Sequence, residues 1–369
     1  MLLVQLWSQP SVRMLGFGRY FAGYVPDPIT DLTWNPAYMK TLGENVDTYN
    51  TPQIYAMTRI FTTNELTNQT PNMEFWENDE LMSLFALYPK IGVALRLGAW
   101  QRSDVRSYYT PELWAYGQAG ILGSLGITQR IKVGVEYSAS WNNKPDWIYL
   151  EKHDTLGIIQ DAVLTHSEWS DQIGLGIILT DNMNWEISLS GRSNWETNSF
   201  IADTIEWFWP QHETVQFDEQ YNDMQVNARL RLLFRKLKVT LDWKYAYKDC
   251  RARNSMRPGL GITYYPMSNI FVIGGLTYVV NKSSQGGTSW IRERRLIGLA
   301  GFEARFSPIL TFRIGNTTTY TYYHEIYHQL TNEISFGIDL IPYEKLKLNF
   351  ATSNPFEYSC WYFGVSFAL

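Results

Sequence analysis

The chain has 369 residues and a net charge of −5. Without a basic block, it lacks the electrostatic footprint of a nucleic-acid binder. No run of about 18 apolar residues occurs, so the sequence predicts no spanning helix. The length fits two or three soluble domains or one large barrel.

The start, Met1-Leu2-Leu3-Val4-Gln5-Leu6-Trp7-Ser8-Gln9, resembles the tail of a signal peptide, without its basic segment or full apolar core. Residues 1–50 show no alternation. They are rich in Gly, Pro, Asp and Asn and read as irregular. Beyond them a period-two pattern recurs to the end of the chain. Ile91, Val93, Leu95 and Leu97 alternate with Gly92, Ala94, Arg96 and Gly98. Ile131, Val133, Val135 and Tyr137 alternate with Lys132, Gly134, Glu136 and Ser138. Such alternation marks β-strands, because successive side chains point to opposite faces of the pleat.

The clearest unit is Val226–Tyr247. Val226, Ala228, Leu230 and Leu232 share one face, opposite Asn227, Arg229, Arg231 and Arg235. After the Arg235-Lys236 joint, Leu237, Val239, Leu241 and Trp243 alternate with Lys238, Thr240, Asp242 and Lys244. Two such arms across a short polar joint predict a hairpin. About ten alternating residues per arm suffice for a tilted strand to cross a bilayer.

Short joints, such as Gln129-Arg130, Arg235-Lys236 and Ser307-Pro308, take turns with longer links near 103–112, 143–167, 195–220 and 321–329. Short turns on one side and long loops on the other are the pattern of outer-membrane barrels. The 15 Trp and 24 Tyr suit interfacial aromatic girdles. A soluble propeller would repeat a blade of about 40–50 residues, and no such repeat occurs. The last stretch alternates Trp361, Phe363, Val365, Phe367 and Leu369 with Tyr362, Gly364, Ser366 and Ala368. An open edge cannot face lipid, so this strand is expected to pair with the first.

The expected fold is therefore all-β: a transmembrane antiparallel β-barrel over residues 51–369, of about 16 strands. The count falls to 14 if the weakly patterned stretches Leu81–Tyr88 and Leu113–Ile127 drop out. An even count puts both termini on the periplasmic side of a Gram-negative outer membrane. Arg229, Arg231, Arg235, Lys238, Asp242 and Lys244 are expected to face the lumen. There they would form either an ion-paired solvated wall or a polar path that selects solutes.

Within the N-terminal stretch, Gly16-Phe17-Gly18 is followed by Asp27 and Asp31 and then by Asn35-Pro36-Ala37. This order and spacing resembles the start of the FadL-type outer-membrane transporters and the related PorV/PorQ-type proteins. Those begin with a Gly-x-Gly segment, an acidic turn and an Asn-Pro-Ala motif before the first strand. The match covers about a tenth of the chain, and Tyr38 stands where the family often has Gly. The resemblance implies that residues 1–50 form a hatch inside the barrel, with Gly16, Gly18, Asp31, Asn35, Pro36 and Ala37 as its motif. A lumen of fourteen or more strands needs water or a plug to fill it. Glycine permits close backbone approach, and Asn-Pro favours a turn.

His324-Glu325-Ile326-Tyr327-His328 fits the H-E-x-x-H zinc signature. That chemistry needs both histidines on one helix face and a third ligand. Here the motif falls in a short link crowded by Tyr320, Tyr322 and Tyr323. His153, His166 and His212 also fall in expected loops, so the hydroxyl–imidazole contact needed for nucleophilic catalysis is not in prospect. No catalytic residue, metal or cofactor is assigned. Cys250 and Cys360 are expected on distant walls, beyond disulfide reach.

The long links 143–167 and 195–220 carry Trp147, Trp207, Phe208 and Trp209. Such groups would contact a hydrophobic ligand or a docking partner, or pack on their own loops. The expected partners are outer-membrane lipids together with either a small hydrophobic ligand or a secreted or surface protein. The family resemblance implies uptake of small hydrophobic molecules past the hatch. Its PorV-type members imply the alternative, a non-transporting barrel that anchors or shuttles surface proteins.

Overall fold

In the computed structural model the described residues are 11–25, 27–39, 52–61, 78–88, 91–104, 112–150, 160–181, 184–206, 212–248, 253–285, 288–323, 327–353 and 360–368. Sixteen antiparallel strands close into one barrel. In chain order they are β1 Gln53–Phe61, β2 Asn78–Tyr88, β3 Val93–Asp104, β4 Glu112–Gly126, β5 Ile131–Leu150, β6 Gln160–Thr180, β7 Trp185–Glu206 and β8 His212–Leu233. There follow β9 Leu237–Lys248, β10 Arg253–Met267, β11 Ile270–Gln285, β12 Thr288–Arg305, β13 Leu310–Tyr323, β14 Tyr327–Tyr343, β15 Leu346–Ser353 and β16 Cys360–Ala368. Each strand pairs with its sequence neighbours, and β1 closes the ring on β16 from Gln53↔Ala368 to Phe61↔Cys360. Both weakly patterned stretches form strands, which settles the count at sixteen.

The burial pattern is that of a barrel in lipid. On β5 and β6, Val135, Tyr137, Ile173 and Leu175 are exposed, while Lys132, Glu136, Ser138 and Gln172 are buried. Apolar side chains outside and polar ones inside reverse the order of a soluble sheet. Aromatic pairs punctuate the outer face. Trp141 stacks on Trp169 at 6.3 Å, and Trp243 on Tyr245 at 6.2 Å. Short turns are locally encoded. Asp181 Oδ1 accepts from the Asn184 and Trp185 amides at 2.7 and 2.9 Å, an Asx turn.

Two expectations about connections are corrected. Residues 143–150, 160–167, 195–206 and 212–220 are strand, not loop: β5 to β8 have 20, 21, 22 and 22 residues. At about 3.3 Å per residue and a tilt of about 40°, such strands rise about 50 Å, twice the apolar band of about 25 Å. Above the band neither face is held against lipid, so the ladder persists where the apolar alternation fades. For the same reason His166, His212 and His328 lie in strands rather than loops.

The stretch read as irregular has local structure. Helix α1 spans Val12–Leu15, a 3-10 turn spans Arg19–Phe21, and helix α2 spans Pro28–Trp34. Ser11 caps α1 by accepting from the Met14 amide. Asp27 caps α2, its Oδ1 accepting from the Thr30 amide at 2.9 Å, and Pro28 occupies the first helical turn. Both are standard start signals. At only four and seven residues, neither helix is stable alone, and each depends on what it packs against.

Candidate functional site

Residues 11–39 lie against inward-facing groups from strands around the whole ring. One apolar cluster joins Val12, Leu15 and Leu32 to Tyr55 of β1, Phe85 of β2 and Ala94 of β3. A second joins Met14, Phe17 and Phe21 to Phe271 and Ile273 of β11 and Ile297 of β12. Each large side chain buried in this way contributes about 1.5–3 kcal/mol.

Between these clusters the contacts are polar. Asp31 Oδ1 accepts from Arg229 Nη1 and Arg231 Nη2, each at 2.9 Å. Burial alone would raise the Asp31 pKa, but Arg231, Arg229 and Lys238 hold it below the usual carboxylate range. The Arg229 guanidinium lies 3.7 Å from the centroid of the Trp34 ring, a close cation–π contact. Its Nε is 3.7 Å from Asp242. Arg231 continues the network, donating to Glu186 at 3.0 Å and to the Tyr38 hydroxyl at 3.2 Å. Tyr38 in turn donates to Glu186.

A second ionic contact holds α1. Arg13 donates to Glu303 through Nε at 3.1 Å and Nη2 at 2.9 Å. Arg313 Nε also donates to Glu303, at 3.0 Å, and its two terminal nitrogens reach Asp339 at 2.7 and 2.5 Å. Paired guanidinium–carboxylate geometry of this kind satisfies charges that would otherwise be costly to bury.

Asn35 is stitched into the wall. Its Nδ2 donates to the carbonyls of Ile177 and Leu189 at 3.2 and 3.0 Å, and its Oδ1 accepts from the Ala37 amide at 2.9 Å. The wall makes room with glycine. A Cβ on Gly176 would sit 1.9 Å from Asn35 Oδ1, and one on Gly134 would sit 2.4 Å from the Ala37 amide nitrogen. Gly259 and Gly261 do the same for the Tyr24 ring, whose hydroxyl pairs with Thr277 at 2.8 Å. Gly16 lies against Gly337 and Arg313, and Gly18 takes φ +112°, a conformation that favours glycine.

The residues singled out in the sequence thus fall into three groups. Gly16, Gly18, Asp31, Asn35, Pro36 and Ala37 all meet the wall, and Arg229, Arg231, Lys238 and Asp242 are buried opposite them. Lys244 also faces inward, its Nζ 5.9 Å from the Trp34 ring centroid. Arg235 is corrected: it lies in the β8–β9 turn and is exposed, because the strand has ended before it. Trp147 belongs to β5, with Val163 as its register partner. Trp207, Phe208 and Trp209, like Cys250, His324 and Glu325, lie outside the described residues. His328 pairs across strands with the Tyr320 hydroxyl at 2.7 Å. Sequence alone assigns no role to Glu186, Gly176, Gly259 or Gly261; the signal is their place on the inward face of the alternation, at even positions on β6 and β7 and at odd positions on β10.

Around the segment there is limited space. A cavity of about 490 Å³ opens near the short-turn end, among Arg13, Tyr55, Phe271, Glu303, Asp339 and Lys347. A small apolar pocket of about 30 Å³ lies beneath Leu32, against Phe85, Ala94 and Leu122.

A closed sixteen-strand ring with an apolar exterior and a polar interior defines a transmembrane β-barrel of the outer-membrane type. The fold is that of the FadL-type channels. It is similar to the monoaromatic hydrocarbon channel CymD, with a TM-score of 0.51 and 12% identity over 96% of each chain. It is also similar to the toluene transporter TodX of P. putida, with a TM-score of 0.51 and 13% identity over 96% of this chain and 97% of that one. The likeness to CdiB from Acinetobacter baumannii has a TM-score of 0.54 at 7% identity, and the chain spans 60% of that protein's length. No protein family and no curated relative matches the chain by sequence.

Proposed function

We propose that this protein mediates passive uptake of small hydrophobic molecules across the outer membrane, past a plug formed by residues 1–50. The observation that carries this reading is the seating of residues 11–39 against inward-facing groups of the whole ring, by two apolar clusters and two ionic contacts. A segment so placed blocks a water path. Its contacts are hydrogen bonds, ion pairs and apolar surfaces that can be exchanged without unfolding a strand. The whole-length likeness to channels for toluene and monoaromatic hydrocarbons supports the substrate class. The apolar pocket at Leu32 and Phe85 lies beside the plug, and the cavity near the short turns offers an exit on the periplasmic side, where both termini lie in this reading.

Planar-bilayer conductance of refolded protein, with and without residues 1–48, tests the plug. Uptake of radiolabelled toluene by cells carrying each form tests the substrate. The reading expects the intact chain to conduct little, the truncated barrel to conduct steadily, and the intact chain alone to raise toluene uptake in a selective way. If both forms stay closed yet run as folded, heat-modifiable barrels, the uptake reading fails.

The length of β5 to β8 favours a second reading. Strands of 20 to 22 residues extend the barrel wall well past the bilayer. Such a wall is a surface on which a secreted or surface protein could be held, and this would be the function of a barrel that never conducts.

A further inference from the structure

Among the described residues, the outward face of β6 carries one carboxylate, Asp171. The outward rows on its short-turn side are apolar: Ile173, Leu175, Ile177 and Leu179. Asp171 lies nine positions from Thr180, the short-turn end of the strand. At about 3.3 Å per residue and a tilt of about 40°, that is about 23 Å, near the top of an apolar band of about 25 Å. The carboxylate therefore stands at headgroup level on the long-loop side.

Aromatic rings frame it. The Tyr137 hydroxyl donates to Asp171 Oδ1 at 2.7 Å, and Trp169 Nε1 donates to Oδ2 at 2.9 Å. In register Asp171 stands between Ala139 of β5 and Trp195 of β7, and Trp141 stacks on Trp169 beside it. All four rings stay nearly half exposed, and Ala139, with only a methyl group, leaves room between Tyr137 and Trp141. Rings at this depth are the ordinary girdle, but a girdle does not call for a carboxylate. Both donors to Asp171 are neutral, and among the described residues it makes no ion pair. Each of its oxygens keeps a lone pair for a further donor.

On the other side of Trp195, its register partner on β8 is Asn222. Asn222 Oδ1 accepts from the Ser193 hydroxyl at 3.0 Å, and its Nδ2 has no acceptor among the described residues. An uncompensated negative charge and free N–H donors thus flank one exposed indole, about 10 Å apart at the backbone. Nearer the short turns, a Cβ on Gly191 would meet nothing closer than 4.0 Å. The wall is therefore shallow there, between the rows of Leu175 and Val226.

We infer that this part of the outer wall is a binding site for a lipid whose headgroup joins a primary ammonium to a phosphate, in the leaflet on the long-loop side. The ammonium matches the Asp171 carboxylate within its rings, by charge and by cation–π attraction. The phosphate takes the free N–H donors of Asn222, and an acyl chain follows the shallow strip over Gly191. The site lies outside the lumen and is independent of what passes through it.

Retained lipid is read by native mass spectrometry of the full-length protein in a non-ionic maltoside detergent. The probes are equimolar phosphatidylethanolamine, its N-acetyl derivative and phosphatidylglycerol. Phosphatidylethanolamine should be retained about fivefold over both, the scale of an exposed cation–π contact with a charge pair. Sodium chloride should weaken the preference, since the partners are charged and exposed. In Asp171→Asn, which should remain heat-modifiable, the preference should vanish. Phosphatidylcholine then separates the parts of the frame. If it is retained as well, the rings read positive charge; if it is not, the carboxylate reads the ammonium N–H. Either result supports the site.

Equal retention of phosphatidylethanolamine and its N-acetyl derivative, a preference for phosphatidylglycerol, or an unchanged preference in folded Asp171→Asn overturns it. So does retention of an oligolysine peptide in place of every lipid, which would give this face to a protein partner. Should the variant not fold, the N-acetyl lipid decides on the unaltered protein.

Discussion

Asp31 and Arg229 are 198 positions apart in the chain, yet the Asp31 carboxylate accepts from the Arg229 guanidinium at 2.9 Å. The contact joins α2 to β8, and Arg231 makes a second one to the same oxygen. One carboxylate therefore serves two buried guanidinium groups. Its removal leaves both with less compensation, whereas removal of either arginine leaves the other in place.

Asp31→Asn should therefore loosen residues 11–39 more than Arg231→Gln does. Breaking a buried ion pair from one side costs about 3–5 kcal/mol. The barrel ladder is untouched, so the variant should still run as a heat-modifiable band. Single-channel recording should show frequent openings that the parent lacks. A variant as quiet as the parent would mean that Asp31 does not hold the segment in place.

The same contact sets a pH dependence. The folded Asp31 pKa lies below its ordinary value of about 3.9, because Arg231, Arg229 and Lys238 overcome the effect of burial. A depressed carboxylate stabilises above its unfolded pKa and loses that contribution as pH falls through the folded value. Conductance should therefore be flat from about pH 5 to pH 8 and rise only below about pH 4. Openings that set in near pH 6 would assign the control to another group.

Much of this was legible in the sequence because the barrel has one rule. The alternation of Asn227, Arg229 and Arg231 with Val226, Ala228 and Leu230 fixed which side of β8 faces inward, and the observed burial follows it. The rule failed where its physical basis ends. Above the bilayer neither face of β5 to β8 meets lipid, so residues 143–150 and 195–206 pair as strand without an apolar face to announce it. Arg235 shares the parity of Arg229 but comes after the last paired residue of β8, Leu233, and parity means nothing in a turn. The partners of Asp31 could not be read from parity either. That pairing depends on how α2 is seated, and short helices are placed by tertiary contacts rather than by their own propensity.

Gly176→Ala should disturb the segment without disturbing the wall. The added methyl would sit 1.9 Å from Asn35 Oδ1, and Asn35 bridges the carbonyls of Ile177 and Leu189. Overpacking of this kind costs about 1–3 kcal/mol. Gly191→Ala, where a Cβ would meet nothing nearer than 4.0 Å, is the control on the adjacent strand. Only the first should raise conductance, with both variants refolding to the same yield. Equal behaviour of the two would argue that Asn35 is not seated as described.

Leu175 on β6 is 60% exposed on the outer face, and its neighbour in register, Gly191, lies beside the exposed Leu189. If that face meets acyl chains, Leu175→Arg should cost about 2–4 kcal/mol in urea-unfolding measurements in lipid vesicles, the range for a cation near the bilayer midplane. The same substitution at the outward-facing Asn222, beyond the apolar rows on β8, should cost about 1 kcal/mol or less, since the penalty falls away towards the interface. Equal penalties at both positions would contradict the placement of the apolar band.

Closure makes the most demanding prediction. β1 pairs with β16 over nine register positions, from Gln53↔Ala368 to Phe61↔Cys360. Truncation after Ser353 removes β16 and leaves the edges of β1 and β15 facing lipid with unpaired backbone groups. Each such group costs several kcal/mol in hydrocarbon, so the loss exceeds the whole stability of an ordinary domain, about 5–15 kcal/mol. The truncated chain should not insert into vesicles or show heat-modifiability. Added in trans, a peptide spanning Cys360–Ala368 should restore a measurable fraction of folded protein, because the register alone specifies where it belongs. A truncated chain that folds unaided would require a fifteen-strand closure of β1 on β15, which would place Leu346 rather than Phe367 in line with Ile54.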